Sequence, residues 1–114
     1  KKKNYKADVK EIHHLHKLDS PSGTAISLAN DIIDNNNSFK TWTQNKDSKS
    51  ISMISKRQNK KIGIHNVSFE SEFDKIKIQH EAFSRDAFAK GSIIAANWIK
   101  NKKGIFKMDD ILGI

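Results

Sequence analysis

A short segment near the start of the chain concentrates titratable and cationic side chains directly before a predicted helix start. It reads Glu11-Ile12-His13-His14-Leu15-His16-Lys17-Leu18-Asp19-Ser20-Pro21-Ser22-Gly23-Thr24-Ala25. The imidazoles and the Lys17 ammonium can donate protons, since histidine titrates near neutrality. Ser22 and Thr24 add hydroxyl groups, and a helix N-terminus offers backbone N–H groups without intrahelical partners. The segment therefore predicts a site for a carboxylate or a phosphate.

Two elements must position these side chains. The residues from about 5 to 15 favour a strand, which would direct His13 and His14 to opposite faces. A helix is predicted to begin at Asp19-Ser20-Pro21, with Pro21 in its first turn and Asp19 or Ser20 as cap, Ser22 being a further candidate. The polar residues 35–38 should end it. The buried stripe of this helix is predicted from helical spacing at Ala25, Ile26, Leu28, Ala29, Ile32 and Ile33.

The second half of the chain changes to the period-two pattern of strands. The alternating pairs are Ile51 and Met53, Ile62 and Ile64, Val67 and Phe69, and Ile76 and Ile78. We interpret them as an antiparallel meander with turns at 59–61 and 71–74. A second helix, capped by Ser84 or Asp86, should end before Lys100–Lys103 and Gly104. The predicted fold class is α+β, a mixed or antiparallel sheet of about four strands with two main helices, and isolated Trp42 is predicted to cover the small core.

Length and composition limit the class of protein. With 114 residues, 36% of them hydrophobic, the chain can form one domain with a modest core. No apolar run approaches the roughly 20 residues that cross a bilayer, and we expect neither a membrane span nor a signal peptide. The sequence contains no cysteine, which excludes disulfides and thiolate metal sites and agrees with the cytoplasmic location that we expect.

The formal charge of +8 raises the alternative of a non-catalytic basic module that binds nucleic acid or another polyanion. The basic residues are scattered and are not interleaved with aromatic residues, so we expect no nucleic-acid partner. A metal site was also considered, because His13, His14 and His16 lie within four residues. In a strand His13 would face away from the other two, and no fourth ligand is marked, so no metal is predicted.

The segment and its context resemble a known enzyme family. The pattern E-x-H-H-x-x-K-x-D-x-P-S-G-T-A over residues 11–25 resembles the signature of 4-hydroxy-tetrahydrodipicolinate reductase, also called dihydrodipicolinate reductase. Ser20 stands where the family more often has alanine. Further residues that match the family in the same order are Arg57, Gly63, His65, Val67, Phe69, His80, Ser84-Arg85-Asp86, Phe88-Ala89-Lys90-Gly91 and Met108–Leu112.

The resemblance implies a function and its residues. It implies NADH- or NADPH-dependent reduction of 4-hydroxy-tetrahydrodipicolinate to tetrahydrodipicolinate, in lysine and diaminopimelate biosynthesis. It implies that His13 and Lys17 are catalytic, His13 as proton donor or acceptor and Lys17 as proton donor. The implied substrate-binding residues are His14, Ser22, Gly23 and Thr24, the last three as a carboxylate cradle. No role follows for His16, and His65, His80 and Arg85 are left outside the site.

The resemblance also implies parts that these residues do not supply. No glycine-rich dinucleotide loop occurs in the sequence, so we expect residues 1–114 to be the C-terminal substrate-binding and oligomerisation domain, without a cofactor-binding residue. An N-terminal dinucleotide-binding domain would hold the cofactor, and the isolated domain should be inactive. The family packs its sheets together in a homotetramer. The preference for NADH or NADPH would depend on the absent domain.

Overall fold

The computed structural model describes residues 5–45 and 49–114. The chain divides into two compact units, Lys1–Phe83 and Ser84–Ile114. The described residues of the first unit form β1 (Lys6–His13), α1 (Gly23–Asn35), β2 (Trp42–Thr43), β3 (Ile51–Arg57), β4 (Gly63–Glu70) and β5 (Lys75–Ala82). Those of the second form α2 (Asp86–Ile99) and α3 (Met108–Leu112).

The sheet of the first unit has the strand order β2-β3-β1-β4-β5. The strand β1 is parallel to β3 and antiparallel to β4, so the mixed α+β architecture is confirmed. The sheet has five strands, whereas the sequence analysis predicted about four. The additional strand is β2, whose two residues, Trp42 and Thr43, pair in parallel with the start of β3.

The predicted meander is wrong for β3 and β4, because β1 lies between them. It is correct for β4 and β5, which pair antiparallel across a turn in which the Ser71 N–H donates to the Asp74 carbonyl at 2.9 Å. Period-two spacing marks a strand with one buried face, but it does not encode which strand is the neighbour. As a result, β1, α1 and β3 form a strand–helix–parallel-strand unit that the pattern did not predict.

The core lies between α1 and one face of the sheet. The small side chains of Ala25 and Ala29 are completely buried and allow the helix to approach Val9, Ile51 and Met53 closely. This confirms the predicted helical stripe except for Ile26, which is not part of the core. Partly buried residues packed against the core are Leu28, Ile32, Ile33, Trp42, Val67 and Phe69.

The helix α1 begins later than predicted. Its N-cap is Ser22, whose hydroxyl accepts a hydrogen bond from the Ala25 N–H at 3.2 Å. Pro21 therefore precedes the cap instead of standing in the first turn. Asp19 does not cap the helix, because its carboxylate pairs with the Lys17 ammonium at 2.9 Å. The end of the helix at Asn35, before the polar run, is as predicted.

The second unit is small and contains no buried residue. Trp98 of α2 makes an edge-to-face contact with Phe106, in the segment before α3, and the two ring centroids are 5.2 Å apart. The cap of α2 is Arg85 and not Ser84 or Asp86, although the Ser84 hydroxyl accepts from the Asp86 N–H. Among the described residues of both units, no helix is long and apolar enough to cross a membrane.

Candidate active site

The candidate site lies at the edge of the sheet where β1 and β3 end and α1 begins. His13 and Arg57 are the last residues of these parallel strands and are register partners, and β4 begins at Gly63 at the same edge. The chain leaves His13, passes through residues 14–22 and enters α1. The carboxyl ends of parallel strands next to a helix N-terminus are a common place for a ligand site.

His13 is held by a carboxylate on its own strand. Its Nδ1 forms a hydrogen bond with the Glu11 carboxylate, and the Glu11 side chain is completely buried. Residues two apart in a strand share a face, so Glu11 and His13 both lie on the face that α1 covers. Glu11 was not among the predicted site residues. Its carboxylate lies on the same strand face as Ala7, Val9 and His13, and this spacing could have indicated a buried partner for His13.

Arg57 completes this group from the neighbouring strand. Its Nη1 donates to the Glu11 Oε1 at 3.0 Å, and its Nη2 donates to the Asp19 carbonyl in the segment before α1. Burial raises the pKa of Glu11, but hydrogen bonds from Arg57 and then from His13 outweigh it, so the pKa of Glu11 lies below its ordinary value. Glu11 is therefore ionised at neutral pH.

This lowered pKa predicts how stability depends on pH. Because the folded pKa of Glu11 is below its ordinary value of 4.5, its contribution to the free energy of unfolding is present above that pH. It is lost as the pH falls through the folded value. We expect Glu11→Gln to be less stable at neutral pH but to lose less stability on acidification, as measured by urea unfolding at a series of pH values.

Glu70→Gln is the matched control for this titration. Glu70 is an exposed carboxylate whose pKa is also lowered, through its hydrogen bond with Lys75. Solvent screens such a pair, so its removal should change the acid dependence much less. Equal acid dependence in Glu11→Gln and the unaltered chain would contradict the assignment.

His65 connects His13 with the start of α1. The centroids of the two imidazole rings are 5.0 Å apart at an interplanar angle of 70°. The Nε2 of His65 lies 3.2 Å from the Ser22 hydroxyl, which also caps the helix. Burial, and then the nearby charge of His13, lowers the pKa of His65, so it is neutral at neutral pH. Ser22 thus has a structural role at the edge of the site, as the capping interpretation anticipated.

The first turn of α1 presents two exposed residues, Gly23 and Thr24. The N–H of Ala25 is used by the Ser22 hydroxyl and that of Ile26 by the Ser22 carbonyl. Helix geometry leaves the N–H groups of Gly23 and Thr24 without intrahelical acceptors. A Cβ built at Gly23 would meet no neighbouring atom within 4 Å, so the space beside the Gly23 Cα is open.

Lys17 reaches this region through Asp19. Its Nζ lies 2.9 Å from Asp19 Oδ1, and this hydrogen bond lowers the pKa of the Asp19 carboxyl. The Asp19 carbonyl in turn accepts from Arg57. Contacts therefore run from Lys17 through Asp19, Arg57 and Glu11 to His13. A ligand carboxylate would compete with Asp19 for the ammonium.

The histidines of the opening segment do not converge on a metal-ligand arrangement. The rings of His14 and His16 follow the strand end and lie 6.3 Å apart. Among the described residues, the only group with candidate ligand atoms close together consists of Glu11, His13 and His65, within 4.8 Å. Both Glu11 oxygens already accept hydrogen bonds, one from Arg57, whose positive charge opposes a cation.

The sequence matches a known protein family over nearly its whole length. The family model described as dihydrodipicolinate reductase, C-terminus, matches residues 1–112. The chain belongs to the dihydrodipicolinate reductase family. Over 110 residues it is 48% identical to the 4-hydroxy-tetrahydrodipicolinate reductase of Christiangramia forsetii, covering 96% of this chain and 46% of that protein. With the enzyme of the same name from Aquifex aeolicus it is 39% identical, covering 100% of this chain and 45% of the relative.

A solved structure from this family has a similar fold. It is described as dipicolinate-bound dihydrodipicolinate reductase from Paenisporosarcina sp. TG-14, with a TM-score of 0.69 and 25% identity. The match covers 93% of this chain and 44% of that one. The chain thus spans less than half the length of its curated relatives and of this structural neighbour.

Proposed function

We propose that this chain is the substrate-binding and oligomerisation domain of a 4-hydroxy-tetrahydrodipicolinate reductase, acting in lysine and diaminopimelate biosynthesis in the cytoplasm. The observation that carries the proposal is the series of contacts that joins His13 to Lys17 through Glu11, Arg57 and Asp19. A second series joins His13 through His65 to Ser22 at the start of α1. Membership of the family and the dipicolinate named in its solved relative support it. The net reaction consumes the substrate, NADH or NADPH and a proton, and yields tetrahydrodipicolinate, oxidised cofactor and water.

The residues described here do not fit a dinucleotide. The segment from the end of β1 through the first turn of α1 contains one glycine, Gly23, instead of a glycine-rich fingerprint. We place the nicotinamide cofactor on an N-terminal domain of the whole enzyme, and this chain binds the molecule that is reduced.

Each proposed role follows from the chemistry of the group. The Lys17 ammonium and the N–H groups of Gly23 and Thr24 bind the carboxylates of the substrate, because a cation and helix N–H groups without intrahelical acceptors both favour anions. His14 contributes to binding at the strand end. His13 exchanges a proton through Nε2, the ring nitrogen that Glu11 does not occupy. Lys17 is the second proton donor of the site.

The direct test is calorimetry with pyridine-2,6-dicarboxylate, a planar analogue of the substrate. We expect saturable binding with one ligand per chain that persists when the salt concentration is raised. Binding of polyanions such as DNA, with strong salt dependence and no saturation by the dicarboxylate, would instead support a basic binding module. A chain that carries the N-terminal domain should be titrated in parallel, because that domain contributes to a complete site.

Gly23→Ala separates ligand binding from stability. No atom of the described chain lies within 4 Å of the added methyl group, so we expect thermal stability to be preserved. The methyl group would occupy space that the ligand needs, and we expect binding of the dicarboxylate to weaken by about tenfold, or about 1.4 kcal/mol. Gly91→Ala is the matched control, because its methyl group also meets no atom within 4 Å. Unchanged affinity in Gly23→Ala would contradict the cradle.

We further propose that the domain assembles into a tetramer through the sheet face opposite α1. That face contains exposed Ile54 beside buried Ile64 and Asn66. Within the described residues, the buried Asn66 Oδ1 has no hydrogen-bond partner. A buried polar atom without a partner is costly, and a second sheet packed on this face could supply one.

Ile54→Glu tests this assembly. A carboxylate placed in a sheet-to-sheet interface would be desolvated without a partner, so we expect sedimentation velocity to show monomers where the unaltered chain forms a tetramer. Ile105→Glu, at an exposed position in the second unit, serves as control and should leave the sedimentation coefficient unchanged. A monomeric unaltered chain would contradict the proposal for this domain by itself.

A further inference from the structure

We propose that Glu11 and Arg57 are positioning residues for the proposed reduction, Glu11 by holding the proton of His13 on Nδ1 and Arg57 by tying Glu11 to the segment that carries Lys17. The inference rests on the proposed function for its catalytic meaning. Its structural content, a fixed tautomer and a fixed loop, is measurable without substrate.

Glu11 determines which ring nitrogen of His13 carries a proton. Its side chain is completely buried, and each of its oxygens accepts a hydrogen bond, Oε1 from Arg57 and Oε2 from the Nδ1 of His13. An ionised carboxylate can only accept, so Nδ1 must carry a proton in both the neutral and the charged ring. Proton exchange with a ligand is then confined to Nε2.

The neighbours of the His13 ring limit its orientation. A Cβ built at Gly63 would lie 3.2 Å from the Nε2 of His13, so a side chain there would press on the ring. Together with the edge of His65, the Gly63 backbone and the Glu11 carboxylate limit the orientation of the imidazole. The ring is thus oriented on several sides before a ligand arrives.

Arg57 links Glu11 to the segment that carries Lys17. Its guanidinium donates to Glu11 and, through the other terminal nitrogen, to the carbonyl of Asp19. The Asp19 side chain pairs with Lys17, so one planar group links the proton-transfer residue to the cationic one. A lysine at position 57 could not make both bonds, because its ammonium is a single point of charge.

Glu11→Gln tests which ring nitrogen of His13 carries the proton. The amide has one oxygen, and Arg57, which can only donate, will take it. The amide NH₂ group then faces Nδ1 and donates to it, which moves the proton of the neutral ring to Nε2. Long-range ¹H–¹⁵N spectra of the histidine rings, recorded at a pH at which His13 is neutral, should show the proton on Nδ1 in the unaltered chain and on Nε2 in the variant.

Two further variants complete the experiment. Arg57→Lys should leave the proton of the neutral His13 ring on Nδ1. It should weaken dicarboxylate binding about tenfold, because the segment that carries Lys17 loses the hydrogen bond from Arg57 to the Asp19 carbonyl. Glu81→Gln removes a partner of the Lys61 ion pair and should alter neither property. In the enzyme with its cofactor domain, Glu11→Gln should lower kcat about 10- to 100-fold with little change in KM, whereas Arg57→Lys should mainly raise KM.

The His13 tautomer and the dicarboxylate affinity each test one part of the inference. A neutral His13 ring with its proton on Nε2 instead of Nδ1 in the unaltered chain would overturn the inference even if Glu11→Gln failed to fold. If the neutral His13 ring kept its proton on Nδ1 in Glu11→Gln, the role proposed for Glu11 would be wrong. If Arg57→Lys bound the dicarboxylate with unchanged affinity, the role proposed for Arg57 would be wrong. Failure of the unaltered chain, with or without the cofactor domain, to bind the dicarboxylate would count against the proposed function alone, since the tautomer is read without ligand.

Discussion

Replacing Glu11 with alanine is expected to cost about 3–5 kcal/mol of the free energy of unfolding at neutral pH. The variant leaves a cavity in a completely buried position, removes the acceptor of His13 and leaves the Arg57 guanidinium largely buried beside it. Loss of one partner of a buried pair costs much more than the net contribution of the pair, because the other charge is left without compensation. Urea unfolding followed by far-ultraviolet circular dichroism measures the change.

The double variant Glu11→Ala with Arg57→Ala controls for this explanation. If the uncompensated guanidinium is the main cost, the double variant should be more stable than the sum of the single effects allows. Glu81→Ala is the matched surface control, and its loss should stay below about 1 kcal/mol because both members of that pair are partly exposed. A Glu11→Ala chain within 1 kcal/mol of the unaltered one, on the scale of that surface pair, would contradict the buried network.

His13→Gln is expected to lower kcat by about 10²- to 10⁴-fold in an enzyme that carries both domains, the range that general acid–base groups contribute. Glutamine can still donate to Glu11 through its amide, so the local structure should persist. It cannot exchange a proton near neutral pH. Steady-state kinetics with the physiological substrate give kcat, and calorimetry with the dicarboxylate should show nearly unchanged affinity.

His16→Gln is the control for this loss. His16 is exposed in the same segment and no role is assigned to it. Its replacement should preserve turnover. If His16→Gln and His13→Gln lost activity equally, His13 would not be the group that moves the proton.

The sequence was sufficient where local pattern decides the structure. The strand that ends at His13, the helix stripe of Ala25 and Ala29, and the turn at 71–74 all follow from periodicity and turn chemistry. The resemblance also identified the family correctly. The same pattern located Trp42 near the core but not in a strand.

The sequence was insufficient where distant residues meet. Glu11 and Arg57 are 46 positions apart, and they approach each other because β3 pairs in parallel with β1. Periodicity does not encode that pairing, so the partner of His13 and the tie to Asp19 could not be derived. Of the predicted caps only Ser22 is correct, and Asp19 failed for a related reason, since its carboxylate is engaged by Lys17 rather than by the helix.

Titration of the isotope-labelled chain with pyridine-2,6-dicarboxylate, followed by NMR, tests the proposed site most directly. If one dicarboxylate site exists, the amide signals of Gly23 and Thr24, the side-chain signals of Lys17 and the ring signals of His13 will shift together along one binding curve. Shifts confined to other parts of the chain, or separate curves for Lys17 and the helix amides, would contradict a single dicarboxylate site.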